Sequence, residues 1–549
     1  MIYSTRRTES WKTIPWAKCH RLVFRLQTRI YRAASRGDFK RVHSLQRLLL
    51  RSWSARCLAV RQVSQDNRGK RTPGVDGVAL LTIRERCRMV DQLKDLDSDP
   101  DTIRRIYIEK PQSTELRPLG IPTMFDRARQ ALVKLVLEPE WEAQFEPNVY
   151  GFRPGRCQHD AIQSIFNFVR LKPKWCWDAD IEKCFDKIAH APLLAKINTF
   201  PRLNKLIRGW LKAGVVENGE TLYPEAGTPQ GGVISPLLMN IALHGLEAYL
   251  VRMCPHRNKP GVIRFADDLV IIHEDQDILR LLISLAETWL AEMGLRFKPS
   301  KSRIVHMLHE HQGQHPGFDF LGFNARQYPV EKYHTRTFRG KPGFKTLIKP
   351  SQDAQKRQRK KVTDIIRKHR GNAQAALIGE LNPVIRGWTR YYRSCIAKDT
   401  FDHIDAWLLH SLHQWARHRH PHKGLGWRWR RYWKQRDQRM AFTDGSGHLV
   451  TYASTKIERH IKVTATKSIY DGDWLYWGAR LSKTPMYPKR KTNLLKRQRS
   501  KCPHCRLRFM DGNVLEVHHR NGDNHDSRYD NLLLLHGHCH DEVHRSECL

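Results

Sequence analysis

The chain has 549 residues, with 96 Lys and Arg against 55 Asp and Glu, a formal net charge of +41. At roughly 100 to 200 residues per domain it divides into about three to five domains, and a content of 40% hydrophobic residues with 19 Phe, 16 Tyr and 16 Trp excludes a disordered basic tail. The charge excess calls for a polyanion, nucleic acid first and an anionic membrane surface second. Lys, Arg or His breaks every apolar run before the roughly 18 to 20 residues of a membrane span, so no membrane partner is expected. Residues Met1 to Lys18 lack the apolar core and cleavage site of a secretory signal, which points to an intracellular protein. In a reducing compartment Cys502-Pro-His-Cys505 reads as metal binding and not as disulfides.

Taken in chain order, Leu22, Leu26 and Ile30, then Val42, Leu45, Leu48 and Leu49, fall at helical spacing among Arg and Lys and predict basic amphipathic helices from about Trp16 to Val63. A turn cluster, Gly69 to Gly77, sets a boundary. From about Leu80 to Gly322, β-like runs (Ile103 to Ile108, Trp175 to Ile181, Val262 to Phe265, Leu269 to Ile272) alternate with helical stretches (Ala128 to Gln144, Leu237 to Val251, Leu279 to Met293), an α/β or α+β domain. Beyond about Gly343 the strand signals fade, and Ser351 to Arg370 and Ala375 to Trp415 read as a helical domain. His418 to Arg439 interleaves Arg, Lys and His with Trp427, Trp429, Tyr432 and Trp433, a pattern suited to phosphate contact and base stacking. Lys489 to Lys501 reads as a basic linker.

Val262-Ile-Arg-Phe-Ala-Asp-Asp-Leu-Val-Ile-Ile272 is two apolar strands meeting at a hairpin tip that presents Asp267 and Asp268. Trp175-Cys-Trp-Asp-Ala-Asp180 is another apolar strand ending in acids, which sets Asp180 beside them. Three close carboxylates repel unless divalent cations neutralise them, and oxygen-only ligation favours Mg²⁺. Two such ions are the known device for in-line phosphoryl transfer.

Leu116-Arg-Pro-Leu-Gly-Ile-Pro-Thr123, Tyr150-Gly-Phe-Arg-Pro-Gly-Arg156, Asp180-Ile-Glu-Lys-Cys-Phe-Asp186, Gly227-Thr-Pro-Gln-Gly-Gly-Val-Ile-Ser-Pro236, Phe265-Ala-Asp-Asp268 and Phe320-Leu-Gly-Phe323 resemble, in order, the reverse transcriptase blocks of group II intron-encoded proteins. Gly387-Trp-Thr-Arg-Tyr-Tyr-Arg393 resembles the maturase (thumb) domain of that family. The resemblance implies a multidomain α+β protein with right-hand fingers and palm. Its expected divisions are a basic helical extension at 1–77, fingers and palm at 78–342, maturase thumb at 343–440, a DNA-binding region and linker at 441–500, and an HNH nuclease with a zinc site at 501–549. It makes Asp180, Asp267 and Asp268 the metal-site acids and places Phe185 as the sugar-facing gate that favours dNTPs. Lys110 and Arg117 match positions that hold triphosphate oxygens, Gln230 lies beside the incoming nucleotide, and Lys301 sits near the late palm block. The family usually has Tyr where this chain has Phe265, which implies altered packing or fidelity with the acids intact.

At the C-terminus, Cys502 and Cys505 with His536 and Cys539 make a plausible tetrahedral Zn²⁺ site of the structural type, although the neighbouring His538 leaves the ligand choice open. His540 and His544, spaced i, i+4, face one way and with His518 would bind a catalytic cation. His519, pointing oppositely on a strand, is then free to act as general base, oriented by Asn531. This pattern resembles the ββα-metal HNH nuclease; a zinc ribbon that only binds DNA is the blander alternative.

The leading expectation is an intron-encoded RNA-directed DNA polymerase that assists splicing of a group II intron RNA. It would also nick target DNA to prime copying during intron mobility, using dNTPs, Mg²⁺ and a structural Zn²⁺. A splicing factor without polymerase activity and a reverse transcriptase of retron or defence type are the alternatives. A homodimer is left open, as is an organelle in place of a bacterial cytoplasm.

Overall fold

A computed structural model describes residues 11–79, 81–109, 116–255, 257–330, 343–436 and 439–546. The chain opens with helices α1 (Trp16–Ala34), α2 (Phe39–Arg51) and α3 (Trp53–Arg61), the last two started by Asp38 and Ser52 side chains that accept from the backbone N–H of Arg41 and Ala55. Helix α4 (Ile83–Gln92) starts at a Thr82/Glu85 capping box. Strands β1 (Ile103–Glu109) and β2 (Leu116–Ile121) pair antiparallel and lead into helices α5 (Met124–Glu142) and α6 (Gln158–Val169). Then come β3 (Trp175–Asp180), helices α7 (Cys184–Lys187), α8 (His190–Ile197) and α9 (Pro201–Lys212), and the short strands β4 (Val215–Glu217) and β5 (Glu220–Leu222). Strands β4 and β5 complete a fingers sheet ordered β2-β1-β4-β5.

Helices α10 (Ser235–Ala242) and α11 (Leu246–Met253) replace the single helix expected over Leu237 to Val251. The break falls at Gly245, whose φ of +100° a continuous helix does not allow. Strands β6 (Gly261–Phe265) and β7 (Asp268–His273), helix α12 (Gln276–Glu292) and β8 (Arg303–His306) follow, and the palm sheet is ordered β6-β7-β3-β8, antiparallel throughout.

Strands β9 (Phe318–Phe320), β10 (Phe323–Pro329) and β11 (Phe344–Pro350) form a second sheet. Strand β11 corrects the expectation that strands end near Gly343: Phe344, Thr346, Ile348 and Pro350 are buried and alternate with lysines and Leu347 that are only half-buried, a period of two inside a segment that reads as basic. The helical thumb follows as α13 (Gln352–Lys368), α14 (Gln374–Tyr392), α15 (Lys398–Arg419) and α16 (Leu425–Tyr432), then a hairpin of β12 (Trp433–Arg436) and β13 (Arg439–Phe442). Tyr432 and Trp433 are buried in the thumb core, and Trp429 stacks on Trp433 at 5.0 Å, so of the aromatic series only Trp427 and Trp429 keep a half-exposed face. Helices α17 (Trp474–Leu481) and α18 (Lys489–Arg497) lead to a hairpin of β14 (Leu515–His519) and β15 (Leu532–His536) and the closing helix α19 (Gly537–Ser546).

Packing crosses two of the expected boundaries. Val23 and Ile30 of α1 and Val42 and Leu49 of α2 share one core with Leu132, Val133 and Val136 of α5 and with the palm, so residue 77 is not a break in the core. Two buried amides lock the contact: Gln27 Nε2 donates to the Leu135 carbonyl (2.9 Å) and Gln46 Nε2 to Glu140 Oε2 (2.6 Å). At the other end, Asp160 of α6 is fully buried and accepts from Val463 N (2.8 Å), His460 Nε2 (3.0 Å) and Arg480 Nη2 (2.6 Å). That knot ties the 441–500 segment to the palm, and the charge partners hold the Asp160 carboxyl well below its usual range against the opposing effect of burial. Among the described residues no helix is long and apolar enough to cross a membrane.

Candidate active site and metal centres

The palm site is set by strand register. Asp180, the last residue of β3, pairs with Asp268, the first of β7, and Phe265↔Asp268 closes the β6–β7 turn that carries Asp267. Ala266 turns the corner at φ +59° and is buried, because the backbone of Gly151 lies against it: a Cβ on Gly151 would stand 2.2 Å from Ala266 N. Arg264, also buried, reaches the Ala266 carbonyl (3.2 Å) and Asn240 Oδ1 (3.0 Å) and braces the hairpin from behind. Phe265 is half-buried between the two largest apolar clusters, a packing place for an aromatic ring of either kind.

The acids crowd one another. Burial, then the charges of Asp267, Asp180 and Asp178, push the Asp268 carboxyl up to about 7, opposed by Lys301. Burial followed by Asp180 raises Asp267 as well, and Arg117 and Lys301 oppose it. Lys301 Nζ donates to Asp180 Oδ2 at 2.8 Å. Asp180, Asp268 and Lys301 open on a cavity of about 350 Å³ whose walls also include Asp178, Arg303 and Asp319, three charged residues that sequence reasoning passed over. Asp178 was legible as the other acid of β3: it is two residues before Asp180, and side chains two apart in a strand share a face.

The loop expected to meet the nucleotide closes on the same site. Thr228 N donates to the Phe185 carbonyl (2.6 Å), and Gly227, at φ +92°, has its Cα so close to Asp186 that a Cβ would stand 2.7 Å from that residue's carbonyl oxygen. Gln230 follows, its carbonyl accepting from Gly120 N of β2, so fingers and palm meet at this glycine loop. The Phe185 ring stands edge-on to Phe152 at 6.3 Å. Arg117 is exposed on β2 opposite Ile108, and Lys110 lies outside the described residues.

The C-terminal module gathers two clusters. The sulfurs of Cys502, Cys505 and Cys539 and a ring nitrogen of His536 all lie within 4.8 Å of one another, with Cys505 Sγ 3.4 Å from His536 Nδ1. Hydrogen bonds with Cys505 and Cys539 lower the Cys502 thiol, and those with Cys502 and Cys505 raise Cys539, so the three sulfurs are in mutual contact. Three sulfurs and a nitrogen at this spacing are the donor set that suits Zn²⁺. His538 is turned away to stack on His20 of α1 at 4.7 Å. The second cluster is His518, His540 and His544, whose ring nitrogens also lie within 4.8 Å, and His540 Nδ1 is 2.7 Å from Glu516 Oε2, the carboxylate-on-imidazole contact that orients a metal ligand. His519 follows His518 on β14, and its buried Nε2 has no hydrogen-bond partner among the described residues. Asn531 directly precedes β15. Its Oδ1 accepts from Asn521 N and its Nδ2 donates to the Asp526 carbonyl, each at 3.0 Å, so it fixes the loop joining β14 to β15.

Comparison with known proteins matches residues 108–325 to the reverse transcriptase (RNA-dependent DNA polymerase) family, 11–93 to the N-terminal domain of reverse transcriptase, and 355–433 to the group II intron maturase-specific domain. Across these segments the chain is similar to group II intron-encoded proteins. Among its relatives, the group II intron-encoded protein LtrA of Lactococcus lactis subsp. cremoris is 38% identical over 250 residues, 43% of this chain and 41% of that one. Protein YkfC of Escherichia coli (strain K12) is 32% identical over 242 residues, 42% of this chain and 62% of YkfC. An uncharacterized 91 kDa protein in the cob intron of Schizosaccharomyces pombe is 26% identical over 392 residues, 59% and 47% of the two chains. The match thus spans about two fifths of LtrA's length. The three matched family segments end at residue 433, before either Cys/His cluster.

Proposed function

We propose that the chain is an RNA-directed DNA polymerase that binds and helps splice a group II intron RNA, and that its C-terminal module nicks target DNA. The observation that carries the polymerase reading is the convergence of Asp180, Asp267 and Asp268 on paired strand ends inside the matched reverse transcriptase segment, with Asp268 pushed up to about 7 by burial and its neighbours. A charge arrangement that unfavourable suits divalent cations, and these three carboxylates would hold Mg²⁺. With Mg²⁺ held by these carboxylates, the site would lower the pKa of a primer 3′-hydroxyl and offset the charge of the leaving pyrophosphate. The chain's own groups then have distinct tasks. Arg117 and Lys110 take triphosphate oxygens, and Lys301 holds Asp180 in place. The Phe185 ring, on a backbone that Thr228 N holds in place, bars a ribose 2′-hydroxyl, and Gln230 lines the nucleotide's place. The net charge of +41 and the maturase-specific segment support intron RNA as partner.

In the C-terminal module Cys502, Cys505, His536 and Cys539 would hold a structural Zn²⁺, and His518, His540 and His544 a catalytic divalent cation. His519 is the base that would take a proton from the attacking water at its unpartnered Nε2. Nicking in this way would leave a 3′-hydroxyl for the polymerase, the chemistry of retrohoming. The domain divisions proposed are those set out from the sequence, with the N-terminal helices counted as part of the fingers and palm body.

The test is primer extension on an RNA template with Mg²⁺ and dNTPs beside Asp267→Ala. Extension that vanishes in the variant while intron RNA binding persists supports the reading. A protein that binds intron RNA tightly and never extends a primer is a splicing factor instead. That second reading is disfavoured because strand-end acids held at such electrostatic cost have no task in it.

A further inference from the structure

A cavity of about 910 Å³ lies between α1 and the C-terminal Cys/His module, apart from the palm site and from the His518 cluster. One wall is a stripe on α1. Arg21, Arg25, Arg29 and Arg32 recur every three or four residues, share one helix face, and are all exposed to the cavity. The facing wall carries Lys501, Arg506 and Arg508, from the loop that holds Cys502 and Cys505. None of these seven cations is in an ion pair with a carboxylate among the described residues. The acids lining the cavity are engaged elsewhere: Asp66 with Arg61 at 3.4 Å, Glu138 with the Tyr470 hydroxyl at 2.8 Å, and Asp511 with Gly155 N at 2.7 Å.

Seven unpaired cations facing one another across a concave surface repel, and a polyanion relieves that repulsion. The two walls are held in place: His538 of α19 stacks on His20 of α1, and Arg61 Nη2 of α3 reaches Asp541 Oδ2 of α19 at 2.8 Å. The arginine stripe covers eleven residue steps, about 16 Å at 1.5 Å per residue. At about 3.4 Å per nucleotide in a stacked strand that is roughly four to five phosphates.

Aromatic faces in the same cavity select the form of the polyanion. Phe24 and Trp474 lie 4.9 Å apart on the α1 side, and Phe152 is 49% exposed. Bases in a duplex keep their faces covered, whereas unpaired bases offer theirs for stacking, so the lining suits a single strand. Phe152 also has the edge-on contact with Phe185 of the palm, at 6.3 Å, so this rim of the cavity abuts a palm residue.

We propose that this groove binds one strand of DNA by its sugar-phosphate backbone and conducts it between the Cys/His module and the palm. The choice of DNA rests on the nuclease reading given above, because the facing wall belongs to that module.

The experiment uses the full chain and a fluorescein-labelled oligothymidylate of about 16 nucleotides, read by anisotropy across a salt series. In the double variant R25S/R29S, affinity is expected to fall about tenfold or more. The slope of log affinity against log salt should flatten by about 1.4, at roughly 0.7 per lost phosphate contact on a single strand. Primer extension on a pre-annealed RNA template and DNA primer should be unchanged, which also certifies folding. The facing-wall variant R506S/R508S should weaken binding in the same direction. Unchanged affinity and slope in both variants overturns the groove. A loss confined to an oligouridylate makes the occupant RNA, and an equal loss for duplex DNA removes the single-strand argument; either overturns the proposal. The nuclease reading is scored separately by nicking of a labelled duplex. Oligothymidylate binding that falls in R25S/R29S in a protein that never nicks keeps the groove and discards the nuclease. Normal nicking with unaltered binding does the reverse.

Discussion

The palm site and the C-terminal module place charged or ligating side chains in opposite relations to their cores. In the palm, Leu269 to Ile272 of β7 are fully buried, Leu269 and Ile271 in the core shared with the fingers and Val270 and Ile272 in the core shared with the thumb, and the acids sit at the strand ends as an electrostatic burden that the fold carries. In the C-terminal module Cys502 and Cys539 are themselves members of a small apolar cluster with Leu494, Leu495, Phe509, Leu534 and Leu535. The lesson is one of direction. A large core positions ligands that it does not need, whereas a small core needs the ligands that it contains.

Breaking the comparison from its strongest side, removal of zinc by a chelator, or Cys539→Ser, should unfold the C-terminal module. A structural zinc contributes about 10 kcal/mol to a domain of this kind. Limited proteolysis should then cut within 501–546 while fragments of the palm stay intact; a module equally resistant without metal would end the zinc assignment. From the palm side, Asp267→Ala should cut primer extension roughly a thousandfold, several kcal/mol of transition-state stabilisation, with no loss in melting temperature because it removes repulsion and not packing. A matching loss of melting temperature would mean that the acid supports the fold.

His519→Ala should lower nicking of duplex DNA by about a hundredfold to ten-thousandfold, the usual worth of a positioned base, and leave primer extension alone. Nicking at the wild-type rate would remove His519 from the mechanism.

The smallest effect sharpens the claim that the N-terminal helices belong to the palm core. Burial pushes the Glu140 carboxyl from 4.5 up to about 7, while its hydrogen bond from Gln46 of α2 opposes the shift. A raised carboxyl pKa means that the folded state binds the proton more tightly than the unfolded one, so stability is fully present below about pH 4.5 and is lost as pH rises to about 7. Glu140→Gln should flatten that slope and stabilise the protein at pH 8 by about 1 to 3 kcal/mol. A slope that survives the substitution would place the titration elsewhere.

Much of this molecule was legible because the informative signals are local. Apolar runs of four to six residues mark β3, β6 and β7, and the acids at their ends mark the candidate site. The spacings Cys502 to Cys505, His536 to Cys539 and His540 to His544 are short enough that chain geometry alone brings their ends together. Strand β11 escaped because its alternating lysines imitate a basic linker, and the paired helices α10 and α11 read as one because a single glycine hides within a helical pattern.

Sequence by itself therefore determined the chemistry: which side chains are present, on which kind of element, at which spacing. Tertiary structure decided what contacts span long separations. Examples are Gly151 beneath Ala266, Asp160 joining α6 to His460 and Arg480, Gln46 on Glu140, and the stripe on α1 facing Lys501 across a cavity. The physical reason is range. Periodicity and turn chemistry act over a few residues, whereas these contacts join residues tens to hundreds of positions apart, and their pairing follows only once the cores have packed.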